Sequence, residues 1–266
     1  MSTESVFNQL VKCIWLLKEV QSIGRGGGRE LPVTSADGDI DIFVYCDAVP
    51  AEQHRRAALD AMGGALGNVK TGVISGGRWG TADFVEINGI ETWVMYFTVA
   101  EAAAEVESVL GGEHLGREGN FYPTGRCAMY LGMDILLDRS GFLASLQSRL
   151  SHYPDALAEK LSRHHLNALG DTEDFERAVA RRDTLFYHFA LEIALDHFLQ
   201  ALFALNHTFF PSRKRSLELM GRFQKKPARC EDRLLEVVRL GSTSDGVEQS
   251  YLRFNELVQD IQAFVP

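Results

Sequence analysis

Asp39 and Asp41 are separated by one residue in the run Asp39-Ile40-Asp41-Ile42-Phe43-Val44-Tyr45-Cys46. Side chains alternate across a strand, so both carboxylates project to one side, about 6–7 Å apart at the backbone. Two ionised carboxylates at that spacing repel each other, and a divalent cation between them turns the repulsion into binding. Mg²⁺ favours such hard oxygen donors and usually shares them with substrate phosphates. The apolar residues that follow predict a central, rigid strand, which suits a site needing close placement.

A Gly-rich turn, Gly24-Arg25-Gly26-Gly27-Gly28-Arg29, lies upstream. At the end of a short strand, Gly27-Gly28 lets backbone N–H groups approach a phosphate with no Cβ in the way. About a dozen residues then lead to Asp39, a span long enough to turn back and bring both features to one pocket. The glycines match neither a G-x-x-x-x-G-K-[ST] phosphate loop nor the G-x-G-x-x-G dinucleotide fingerprint.

The pattern Gly27-Gly28-Arg29 followed by Asp39-Ile40-Asp41 resembles the DNA polymerase beta-like nucleotidyltransferase superfamily. That resemblance implies a third carboxylate on a neighbouring strand. Glu91, in Gly89-Ile90-Glu91-Thr92-Trp93, is the matching position, and Glu86, on the other arm of the same hairpin, is the competing one. The resemblance further implies that Asp39, Asp41 and Glu91 hold one or two Mg²⁺ ions and act catalytically, and that Gly27, Gly28 and Arg29 steady the phosphates of ATP or another nucleoside triphosphate. Lys214, in Ser212-Arg213-Lys214-Arg215, is a candidate to reach the triphosphate from the helical domain, the alternative being a solvated helix start. Two positions depart from the pattern: Gly28 stands where a serine is usual, and Gly38 where a serine is common. Each removes a hydroxyl that could touch a phosphate.

The elements that must position these residues change character near the middle of the chain. Helical spacing covers residues 4–22, strand-like runs cover 39–46, 70–75, 81–87 and 133–137, and helices are expected at 50–66 and 99–110. Asn88-Gly89 marks a two-residue hairpin. Beyond Gly141 every pattern is helical: 142–151, 154–168, 172–207, 213–223, 229–239 and 246–264. The expectation is an α+β fold, with a nucleotidyltransferase domain over 1–140 carrying a mixed, twisted sheet flanked by helices, then a helical domain over 141–266. Residues 135–143 and 202–215 resemble the helical partner domain of lincosamide- and aminoglycoside-type adenylyltransferases and their uncharacterised bacterial relatives.

Within residues 185–205, His188, Glu192, Asp196 and Gln200 recur every fourth position as one polar stripe, expected to be a solvated face. Leu185, Phe189, Leu199 and Phe203 are expected in the core. Arg182-Asp183 with His188 loosely resembles a signature of helical ribonuclease domains, a match short enough to arise by chance. His164 and His165 adjoin and should point apart on a helix, which argues against a shared metal.

Composition limits the function classes. The chain has 266 residues, and a chain this long buries about three quarters of its unfolded surface, so a core needs no staples. With 27 basic against 36 acidic residues, the net charge is −9, which argues against a dedicated nucleic-acid binder but not against a local nucleotide pocket. Four dispersed cysteines, Cys13, Cys46, Cys127 and Cys230, read as reduced thiols of a cytoplasmic protein. No uninterrupted apolar run reaches membrane-spanning length, and no signal peptide is expected.

The reading is therefore an adenylyltransferase-like enzyme. It moves a nucleoside monophosphate from a nucleoside triphosphate, ATP by resemblance, onto a hydroxyl of a small molecule, and pyrophosphate leaves. Two alternatives stay open: a nucleotidyltransferase-like regulatory or antitoxin module, and an enzyme acting on a protein or tRNA. No membrane partner is expected, and a homodimer stays open.

Overall fold

The computed structural model describes residues 1–26 and 38–264. Two compact units divide them. The first comprises residues 1–107 and 129–152, the second residues 108–128 and 153 onward.

The first unit is built on a six-stranded mixed sheet. Its strands are β1 (Val20–Arg25), β2 (Ile40–Cys46), β3 (Gly67–Ser75), β4 (Thr81–Ile87), β5 (Ile90–Thr98) and β6 (Asp134–Asp138), in the order β3-β4-β5-β2-β1-β6. Only β2 and β5 run parallel; the other neighbours are antiparallel. β2 is thus an interior strand with β5 on one side and β1 on the other. Its even-numbered side chains, Ile40, Ile42, Val44 and Cys46, are all 3% exposed or less. They pack beneath α1 (Thr3–Trp15), whose Phe7, Leu10 and Ile14 join the same core. The opposite face carries an aromatic layer, in which Tyr45 meets Phe97, Tyr130 and Phe142 at ring separations of 5.4 to 6.0 Å. Phe142 opens α5 (Phe142–Leu150), so helices cover both sheet faces and the α+β expectation holds.

Asn88-Gly89 does form the hairpin turn, with both residues at positive φ (50° and 80°), as a two-residue loop matching strand twist requires. Three expected boundaries move. The helix expected over 4–22 ends at Trp15, and Val20 and Ile23, which fit helical spacing as well as strand spacing, are fully buried in β1. α4 (Pro123–Leu131), unforeseen, begins with proline at its first turn, where the missing N–H costs nothing. The helix expected over 172–207 is two helices, α7 (Glu173–Arg181) and α8 (Thr184–Leu205). Arg182 breaks them in the left-handed region at φ 52°, and the Asp183 carboxylate caps α8 by accepting from Phe186 N at 3.1 Å. Arg182-Asp183 thus ends one helix and caps the next.

The two units do not follow a single division at 140. β6 pairs with β1, and α5 closes over Gly24, where an added Cβ would meet Met133 Sδ at 2.1 Å and Leu143 at 3.3 Å. Residues 129–152 therefore belong with the sheet. Residues 108–128 belong with the helices, because Thr124 donates to Phe210 O at 3.0 Å and Gly125 lies against Pro211 O with no room for a Cβ.

The second unit is helical: the latter part of α3 (Val99–Leu110) and most of α4, then α6 (Asp155–Ala168), α7, α8, α9 (Ser216–Met220), α10 (Cys230–Leu240) and α11 (Val247–Gln262). α8 is the central helix, with Tyr187, Phe198, Ala201, Leu202 and Phe203 essentially inaccessible. It is long and apolar enough to cross a membrane, but 67% of the relevant stretch is buried within the protein, as for a core helix. Leu199 and Phe203 are core residues as expected. Leu185 (84% exposed) and Phe189 (53% exposed) are not, because the N-terminal turns of α8 face outward on that side. All four cysteines are free thiols, and burial pushes Cys46 and Cys230 up to about 12, leaving both inert.

Candidate functional site

Asp39 and Asp41 occupy the start of β2 on the face opposite α1. Asp39 is exposed and Asp41 half-buried, while Ile40 between them is buried on the other side. The backbone explains Gly38. It sits at φ 122°, a conformation that glycine tolerates and L side chains rarely adopt, so the chain's entry into Asp39 favours glycine over serine. Gly26 closes the other side. Its N–H donates to Asp41 O at 2.9 Å, and a Cβ there would meet the Phe43 ring at 2.7 Å. Gly26 is the last described residue before Gly27, Gly28 and Arg29, which lie outside the described residues.

In the parallel register Asp41 faces Trp93, and the next positions back are Asp39 on β2 and Glu91 on β5. Pleating therefore puts Asp39, Asp41, Glu91 and Trp93 on one face. Glu86 stands opposite Glu91 in the hairpin, but one strand further from β2, and it accepts from Asn68 Nδ2 at 3.0 Å. Among the described residues no three His, Cys, Asp or Glu side chains stand close enough to share a metal ion. What the sheet assembles is a pair, Asp39 and Asp41, with Glu91 alongside in register. The Trp93 ring is held edge-on against Phe84 with centroids 5.1 Å apart, forming a rigid half-buried platform beside Asp41. Lys214 is exposed, precedes α9, and belongs to the helical unit.

The polar stripe of α8 is solvated only in its first half: Glu192 is exposed and His188 half-buried, whereas the next two positions are buried. Asp196 is 3% exposed and Gln200 6%. The Asp196 carboxylate accepts from Tyr122 Oη at 2.7 Å and Arg213 Nε at 2.6 Å, and pairs with Arg117 Nη1 at 2.9 Å. Glu192, one turn away, pairs with the same two arginines at 3.1 and 3.4 Å. Burial, then the hydrogen bond to Asp196, raises the Tyr122 hydroxyl above its ordinary value. The bond to Asp196 raises Arg213. Sequence reading missed this cluster. Its signal was an acid in the middle of a long, mostly apolar core helix, a position that calls for buried cations nearby.

His165 and His197 also meet, Nδ1 to Nδ1 at 2.9 Å, with His164 adjoining in the same array (ring separations 4.9 and 6.3 Å). Burial, then the neighbouring His197 and His164, lowers His165 to about 3, and burial lowers His197 as well. Both rings are thus neutral near pH 7. One donates and the other accepts, so both facing nitrogens are used up in binding each other.

Comparison with known proteins gives few landmarks. Residues 122–215 match a family described as a domain of unknown function, DUF4037, a span that opens on Tyr122 and contains Asp196 and Arg213. No curated protein matches the chain. Among solved structures, the chain is similar to a nucleotidyltransferase-like protein from Exiguobacterium sibiricum 255-15, at 12% identity, covering 98% of this chain and 77% of that one with a TM-score of 0.48.

Proposed function

We propose that the protein is a metal-dependent nucleotidyltransferase that moves a nucleoside monophosphate from a nucleoside triphosphate, ATP by resemblance, onto a hydroxyl of a small acceptor. The observation that carries this reading is the placement of Asp39 and Asp41. They are two acids on one face, at the open start of an interior strand whose other face is fully buried. Two carboxylates placed two residues apart on one strand face repel each other, and their oxygen donors fit Mg²⁺, which would take its remaining ligands from phosphates and water. Asp39 and Asp41 would hold the ion, and Glu91, the register neighbour, is the proposed third carboxylate. When bound, the ion supplies charge neutralisation for the triphosphate.

The chain's own residues do the rest. The strand fixes the carboxylates, so little reorganisation is needed as the α-phosphorus is attacked. Trp93 offers an apolar plane beside Asp41. By the resemblance, Gly27, Gly28 and Arg29 are the proposed phosphate contacts. The new bond joins the acceptor oxygen to the α-phosphorus, the bond to the bridging oxygen breaks, and pyrophosphate leaves. The acceptor proton passes to a carboxylate of the same face or to water.

The test is a pyrophosphate-release assay on the full chain with ATP, MgCl₂ and a panel of hydroxylated metabolites and antibiotics, followed by mass spectrometry of the acceptors. Release that depends on Mg²⁺ and is lost in Asp39→Asn supports the reading. Nucleotide binding without turnover on any acceptor turns it into a regulatory module. Tight ATP binding that needs no metal removes the Asp39–Asp41 assignment.

A further inference from the structure

A cavity of about 480 Å³ opens at the C-terminal end of α8, within the helical unit. Leu205, Leu219 and Phe223 supply its apolar wall, and Arg222, Lys225 and His207 its charged and polar rim; no carboxylate lines it. A second cavity, of about 390 Å³, shares Leu205, His207 and Lys225 with it and continues toward Asp155, Glu159 and Arg163.

The rim is held in place. Asn206 fixes the backbone of Lys225 from both sides, donating from Nδ2 to Lys225 O at 2.9 Å and accepting at Oδ1 from Lys225 N at 3.0 Å. The next residue, Lys226, spends its ammonium on Met220 O and Glu231 Oε1. The Lys225 ammonium and the Arg222 guanidinium have no partner among the described residues, although the chain carries an excess of acids. His207 follows the last turn of α8 at φ 50°, in a place where glycine is the usual residue. Its Nε2 sits 3.0 Å from Asp155 Oδ1, and its ring stands edge-on to Tyr153 at 5.7 Å. A left-handed non-glycine residue braced by an acid and an aromatic ring points from backbone strain to a use for the side chain. Phe223 is braced in turn by an edge-on contact with Phe203 at 4.8 Å.

We propose that this cavity binds a small anion, a phosphate or carboxylate attached to an apolar or aromatic body. The head group would be taken by Arg222, Lys225 and His207, and the body would lie on Leu205, Leu219 and Phe223. Two exposed cations without a described partner beside an apolar wall are complementary to such a molecule and to neither a neutral sugar nor a metal cation. The site is independent of the Asp39–Asp41 reading and shares no residue with it.

Calorimetric titration of the full chain with phenyl phosphate, benzoate, inorganic phosphate and phenol tests it. Saturable binding of phenyl phosphate or benzoate is expected, tighter than that of inorganic phosphate or phenol and weakened by added salt. The stronger of the two aromatic anions identifies the head group. The exposed double variant R222E/K225E, with an unchanged circular dichroism spectrum, should bind at least about tenfold more weakly. The variant Asp39→Asn should bind as the wild type does, which separates this site from the proposed catalytic one. Equal binding by R222E/K225E and wild type, or no saturable binding of either aromatic anion, would overturn the proposal.

Discussion

Asp41 and Asp83 lie on the same sheet, with β5 alone between their strands, and face opposite sides. Asp83 is fully buried. Its two oxygens accept from Arg55 Nε and Nη2 at 2.9 and 3.1 Å, and Oδ1 also accepts from Gly72 N at 2.8 Å. The remaining Arg55 nitrogen donates to Pro50 O at 2.7 Å, and the guanidinium lies 5.2 Å from the Tyr96 ring centroid. Every charge there is consumed internally, which makes the pair architectural. Asp39 and Asp41 put like charges side by side at the open end of a strand, and Asp39 has no partner among the described residues. Where the fold spends a carboxylate on an arginine, it gains rigidity. Where it sets two carboxylates on one face near solvent, the arrangement fits the ligand site proposed above. Asp196, shared by two arginines and Tyr122, belongs with Asp83 in this contrast.

The strongest way to break the contrast is to remove what holds the sheet face. A fragment ending at residue 140 lacks α5, whose Leu143 and Leu150 are each 1% exposed. It should be insoluble or unfolded, since burying such side chains contributes about 1.5–3 kcal/mol each. A monomeric 1–140 fragment with native circular dichroism would show that α5 is dispensable. Arg55→Met should cost about 3–5 kcal/mol by leaving Asp83 buried and unpaired, while Arg55→Met with Asp83→Leu should recover most of that loss in urea unfolding. A double variant as unstable as the single one would mean that packing, not charge, dominates there.

Asp39→Asn and Asp41→Asn should behave in the opposite way. Stability should stay within about 0.5 kcal/mol of wild type, while nucleotide transfer falls at least about a hundredfold. Unfolding midpoints and pyrophosphate release on the same samples read both quantities. A large stability loss with little change in turnover would reverse the roles assigned to the two carboxylate environments. Tyr122→Phe, which deletes one hydrogen bond to Asp196, should cost about 1 kcal/mol.

The smallest effect concerns pH. The folded His165 has its pKa lowered to about 3 from an ordinary 6.5. Above 6.5 the ring is neutral in both states and contributes no pH dependence. Below it the unfolded chain takes a proton that the folded chain refuses, so stability falls by up to about 1.4 kcal/mol per pH unit. His165→Asn should lower stability near pH 7 but flatten its decline between about pH 6 and 4. An unchanged slope in that window would mean that another group governs acid unfolding.

The backbone placement of the candidate residues was legible where local rules act alone. Asp-x-Asp at the head of an apolar run fixed both the strand and the shared face of Asp39 and Asp41, and Asn88-Gly89 fixed the hairpin whose second arm, β5, carries Glu91. The reading failed where two periods coincide or where burial depends on partners far along the chain. Val20 fits a helix and a strand equally well. Asp196 looks solvated until Arg117, Tyr122 and Arg213, up to 79 positions away in sequence, surround it.

Sequence alone determined which residues bear charge, how they alternate along a strand, and that the C-terminal half is helical, because these follow from side-chain chemistry and backbone period. Tertiary structure decided which carboxylates are buried against arginines, as Asp83 and Asp196 are. It also assigned residues 129–152 to the sheet and 108–128 to the helices. Those outcomes depend on strand order and helix packing, where the free energy of burying a charge turns on whether a distant cation arrives beside it.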